Sequence, residues 1–142
     1  MSLASYIGCN IEIPINDDEY SDDSFYIGSC FAGEYDLLNV KKYQFTTPYV
    51  YEVSSHWGIE ITEYTNPKSC AESKKKLIEL CEFMDSYLEK GGFFELYSCW
   101  VGEEAEKREG EITLQINNFD IDQIEISEKT LIRLKNEVFF FK

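Results

Sequence analysis

The chain has 142 residues, with 27 acids against 13 Lys and Arg, one His and a formal net charge of −14. That length suits a single domain spanning 1–142, and 44% apolar content with 15% aromatic excludes a disordered chain despite the charge. An acid excess of this size repels nucleic acid and anionic membrane and attracts basic proteins, so the expected partner is a basic protein, with no nucleic acid and no membrane.

Residues 6–15 alternate, with Cys9, Ile11, Ile13 and Ile15 pointing one way and Asn10 and Glu12 the other, the pattern of a half-buried strand. Met1-Ser2-Leu3 before it is given no structural role. Residues 16–24 form an acidic polar loop, and 25–32 read as a second strand. Residues 33–42 are ambiguous. Strands are expected at 49–53 and 59–64, with a turn around Ser54-Ser55-His56-Trp57-Gly58 between them.

The main helix is expected over about 67–90. Pro67 suits its first turn and Asn66 is a candidate N-cap, with a rival capping box at Ser69 and Glu72. Leu77, Leu80, Cys81, Met84, Tyr87 and Leu88 recur at three- and four-residue steps and make one apolar stripe. Lys90-Gly91-Gly92 is a stop.

A hairpin is expected next. Residues 93–101 form one arm, Ile112, Leu114 and Ile116 mark the other, and Gly102–Gly110 is a solvated charged loop between them. Short strands follow at 123–126, 130–135 and 137–141, and Phe139-Phe140-Phe141 should dock into the body, because left exposed they would promote aggregation. The sum is an α+β fold: a mostly antiparallel sheet with one main helix, about 67–90, packed on one face and the other face open to a partner.

The charge is unevenly spread. Residues 1–40 hold eight acids and no Lys or Arg. Residues 1–67 carry 11 acids against Lys41 and Lys42, and residues 68–142 carry 16 acids against 11 bases. The candidate partner-binding residues are Asp17, Asp18, Glu19, Tyr20, Asp22, Asp23, Glu34, Tyr35 and Asp36: carboxylates to steer a basic protein, and Tyr to supply rigid contact area.

Other constellations are weaker. The 16–24 loop lacks the glycine and distal Glu of an EF-hand, so no metal is assigned. His56 has no partner in a recognised nucleophile signature, so no catalytic residue and no cofactor is assigned. The triplet Lys74-Lys75-Lys76 spans three directions of a helix beside Glu72 and Glu79 and reads as a solvated face. Cys9, Cys30, Cys70, Cys81 and Cys99 form no CxxC. There is no apolar run of about 18 residues, and the N-terminus lacks the features of a signal peptide. Reduced thiols in a cytoplasmic protein follow.

The acidic N-terminal half, Ser54-Ser55-His56-Trp57 before the helix, Glu95-Leu96-Tyr97-Ser98-Cys99-Trp100 and Glu111-Ile112-Thr113-Leu114 together resemble small acidic immunity proteins that neutralise bacterial polymorphic toxins. The resemblance covers about half the chain and is one of composition and order. It implies a stoichiometric inhibitor that covers a basic toxin, such as a nuclease, with acids and aromatics. It transfers no catalytic residue. The alternative is a small-ligand or regulatory domain with a pocket near Trp57 and Trp100, or a homodimer joined through the open sheet face.

Overall fold

A computed structural model describes residues 3–13, 26–27, 33–54, 59–64, 66–88, 92–116 and 119–136. In chain order these form β1 (Leu3–Cys9), β2 (Tyr26–Ile27), α1 (Glu34–Tyr43), β3 (Tyr49–Ser54), α2 (Pro67–Asp85), β4 (Phe93–Trp100), β5 (Gly110–Gln115) and β6 (Thr130–Lys135). The strands make one sheet of order β2-β3-β1-β4-β6-β5. Every pairing is antiparallel except that of β5 with β6. The α+β class expected from sequence is the class found.

The strand β1 starts earlier and ends sooner than its alternation suggested. It runs antiparallel to β4 from Leu3 opposite Trp100 to Cys9 opposite Phe94, and all seven of its residues are buried. A strand covered on both faces has no solvent side to mark with polar residues, so a search for alternation misplaces it. Past Cys9 the chain leaves the sheet, and the Ile13 N–H donates to the Tyr51 hydroxyl at 3.1 Å. Leu3 is wholly buried and belongs to the fold.

The helix α2 begins as its sequence indicates, with Asn66 Oδ1 accepting from the Lys68 N–H at 2.9 Å and Pro67 in the first turn. It ends at Asp85, short of the expected 90. Leu77, Leu80, Cys81 and Met84 line its inner side, in one apolar cluster with Ile7, Val53, Phe94, Leu96, Ile132 and Leu134 of the sheet. Lys76 is buried, so the lysine triplet is not a uniformly solvated face, and Lys74 pairs with Asp122 at 3.3 Å.

Residues 59–64 and 123–126 were expected as strands. They meet only in one bridge, with Ile61 and Ile126 exchanging backbone hydrogen bonds of 2.8 and 2.7 Å. Ile59, Ile61 and Ile126 fill the core on the α2 side. Two buried serines hold this segment: the Ile59 N–H donates to Ser5 Oγ at 2.7 Å, Ser5 and Ser98 Oγ lie 2.7 Å apart, and Ser98 Oγ donates to the Ile59 carbonyl at 3.1 Å. Both backbone groups of Ile59 are therefore satisfied inside the core.

The expected hairpin does not form. β6 lies between β4 and β5, and β5 runs parallel to β6 with Gly110 opposite Thr130 and Gln115 opposite Lys135. Parallel neighbours need a long crossover, which residues 116–129 supply, and Phe119, Ile121 and Ile124 of that crossover pack on the α2-side core.

The second sheet face is covered as well, by a shorter helix besides the expected main one. The ambiguous segment 33–42 is helical. Val40 and Leu37 of α1 join Ala4, Tyr6, Phe45, Tyr97, Cys99 and Leu131 in a second cluster on that face. The chain after α1 then crosses β1 at Gly8, where a Cβ would run into Thr47 Oγ1 and the Phe45 ring, so only glycine leaves room for the crossing. Tyr6 and Tyr97 are wholly buried on this face. The expected strand 137–141 with its Phe triplet, most of 25–32, and Cys30 and His56 lie outside the described residues.

Candidate binding surface

The helix α1 is set by local chemistry. Gly33 precedes it in extended backbone, and the Leu37 N–H closes the first turn on the Gly33 carbonyl at 3.1 Å. Asp36 Oδ2 accepts from the Gly33 N–H at 2.9 Å. Glu34 and Asp36 lie in the first turn and Lys41 and Lys42 in the last, each charge favoured by the helix dipole at its end.

With Leu37 and Val40 turned inward, α1 presents Tyr35 and Leu38 to solvent, 76% and 60% exposed, one turn apart and next to Glu34. Tyr43 is half exposed at the far end, with Lys42 Nζ 5.2 Å from its ring centre. Of the three described residues assigned from sequence to partner binding, Glu34 and Tyr35 thus face solvent together, while the Asp36 carboxylate is engaged in capping. Asp17, Asp18, Glu19, Tyr20, Asp22 and Asp23 lie outside the described residues. Leu38 was missed; its spacing from Tyr35 was readable only once 33–42 was known to be helical.

Beside α1, the segment 101–109 is solvated at Gly102, Ala105, Glu106, Lys107 and Glu109 and also covers the sheet through Glu104. Glu104 is buried and accepts from the Tyr6 hydroxyl at 2.8 Å and from the Gly102 N–H at 2.9 Å. Burial and this carboxylate together hold the Tyr6 phenol far above its ordinary pKa. Gln44, at the end of α1, donates through Nε2 to the carbonyls of Glu104 and Glu106 at 3.0 and 2.7 Å, and Arg108 donates to the Gln44 carbonyl at 2.8 Å.

Three basic residues on this side are matched with acids. Lys129 contacts Glu106 at 2.8 Å and Glu103 at 3.2 Å, and these bonds hold its ammonium above the usual lysine range. Arg108 pairs with Glu111 at 3.0 Å, and Arg133 with the wholly buried Glu95 at 2.8 Å. Glu95 also accepts from the Thr46 N–H and hydroxyl at 3.4 and 3.3 Å. Lys129, Arg108 and Arg133 thus balance three of the four charges on Glu103, Glu106, Glu111 and Glu95, and the rest of the acid excess falls on the remaining carboxylates.

The described thiols are packing groups. Cys9, Cys70, Cys81 and Cys99 form no disulfide. Burial pushes the Cys81 thiol up to about 12 and raises those of Cys9 and Cys99 as well, which leaves them protonated near neutrality and poor nucleophiles. Among the described residues no group of three or more His, Cys, Asp or Glu is placed to hold a metal. No helix among them is long and apolar enough to cross a membrane.

Trp100 is half-buried at the end of β4, opposite Leu3, and Trp57 lies outside the described residues. Two described clefts have other linings. One of about 260 Å³ lies between α2 and the crossover, at Ile78, Cys81, Glu82, Ile116, Phe119 and Ile121. The other, of about 580 Å³, lies between β5 and residues 119–125.

No protein-family model matches the chain, and neither a curated protein nor a solved structure matches it.

Proposed function

We propose that this chain is a non-enzymatic, cytoplasmic binding protein of the immunity type, a stoichiometric inhibitor that covers a basic bacterial toxin, in its concrete form a nuclease. The observation that carries this reading is the exposed Tyr35–Leu38 pair beside Glu34 on α1, on a chain of net charge −14. Exposed aromatic and aliphatic anchors supply the desolvated contact that dominates interface energetics, and surrounding carboxylates speed encounter with a basic surface. Glu34 and the acids of 17–23 stand in for substrate phosphates in a cleft built to bind polyanions.

The test is capture of partners by the full chain from host lysate at low and moderate salt, alongside the double variant Glu34→Lys/Tyr35→Ala. The expected result is one basic protein held at one-to-one stoichiometry, released by salt, and bound about tenfold or more weakly by the variant. A partner that is acidic, or that binds the variant equally well at both salts, would overturn the proposal.

A further inference from the structure

The outer side of α1 carries both signs of charge around one apolar centre. Leu38, 60% exposed, has Glu34 and Tyr35 one turn before it and Lys41 and Lys42 one turn after it, at three- and four-residue steps on either side. Glu34, Lys41 and Lys42 are exposed, while Leu37 and Val40 turn the other way and pack on the sheet. Lys42 Nζ lies 5.2 Å from the Tyr43 ring centre, a contact that steadies the ammonium at the helix end.

Lys41 and Lys42 are the only Lys or Arg in residues 1–67, among 11 acids. Neither contacts a carboxylate among the described residues, whereas Lys129, Arg108 and Arg133 are matched with acids. The helix dipole favours cations at this end, but it does not require them on the side that displays Leu38. A surface that attracted a basic protein by net charge alone would be weakened by two ammoniums there.

We infer that α1 docks on its partner in one direction. Glu34 faces basic groups of the partner and Tyr35 and Leu38 make the apolar contact. Lys41 and Lys42 face an acidic group set about 10 Å further along the helix, the rise of seven residues. This rests on the reading that a basic protein binds at Tyr35 and Leu38, and adds that its binding surface holds an acid among its bases. The reversed orientation would oppose like charges at both ends and is excluded by them. A second copy of the chain, paired two-fold with Glu34 opposite Lys41, is disfavoured by the net charge of −14 on each copy.

The probe for the test is the basic protein that the full chain captures from host lysate, purified, with association and dissociation rates measured at low salt. Lys41→Glu/Lys42→Glu makes the chain more acidic, and Lys68→Glu/Lys75→Glu does so by the same amount on α2. Attraction by net charge alone predicts that both variants bind at least as tightly as the parent. The inference predicts that only the α1 variant binds more weakly, by tenfold or more and chiefly through faster dissociation. Unchanged amide exchange at Leu37 and Val40 separates loss of contact from loss of the helix; if exchange there speeds up, Lys41→Gln/Lys42→Gln is read in its place and is expected to bind several-fold more weakly. If the α1 variant binds as tightly as the α2 variant while Glu34→Lys/Tyr35→Ala weakens binding, the directional inference falls and the proposed function stands. If all the variants bind alike, or no basic protein is captured, both fall. A doubled mass in sedimentation that Leu38→Glu abolishes would identify a second copy as the occupant of α1 and overturn the inference.

Discussion

The two faces of the sheet are closed by different chemistry. On one, α2 sends four fully or nearly buried side chains into an apolar cluster that also takes in Ile59, Ile61 and Ile126. On the other, the shorter α1 has a single fully buried residue, Val40, and the cover is completed by hydrogen bonds from Tyr6, Gln44 and Arg108 around the segment 101–109. Apolar burial is non-directional and accumulates with area, whereas each polar contact contributes little net and is costly when left unmade. The α1 side should therefore be the weaker of the two, and it is also the side that displays Tyr35 and Leu38. Elements that bind partners are commonly drawn from the less stable end of a fold.

The largest expected effects come from emptying each cluster. Leu80→Ala should cost about 4 kcal/mol in denaturant unfolding by leaving a cavity under α2, against about 1.5 kcal/mol for Val40→Ala under α1. Equal losses would remove the distinction between the faces. Next, Arg133→Ala strands the fully buried Glu95 carboxylate and should cost about 3 kcal/mol; a loss within error would mean that Thr46 alone satisfies Glu95. Tyr6→Phe removes one donor from buried Glu104 and should cost about 1.5 kcal/mol. The smallest stability effect is Leu38→Ala on the outer side of α1, within about 0.5 kcal/mol, although on the binding proposal it weakens partner capture measurably.

What could be read from the sequence follows the same division. The cap, start and apolar stripe of α2 were legible because they are local and periodic, as were β3 and β6, whose expected bounds of 49–53 and 130–135 nearly or fully match. Strand β1 was misplaced because burial on both faces erases alternation. The hairpin expectation failed because a charged run between two strands carries no sign that a later strand will enter between them. Helix α1 was ambiguous because its outward Tyr35 and Leu38 break the apolar stripe that Leu37 and Val40 begin. The covering role of 101–109 depends on Tyr6, distant in sequence, and Asp36 was legible as an acid but not as a cap. Glu34 was legible as an acid, but the exposure of Tyr35 follows only once α1 is placed on the sheet.

The most direct test of the difference between the two sides is native-state hydrogen exchange on the full chain at low denaturant. The expected result is that amides of α1 and of 101–109 open together, at a lower free energy than those of α2, β1 and β4. Opening of α2 before α1, or simultaneous opening of all of them only at the global unfolding free energy, would contradict a weakly held α1 side.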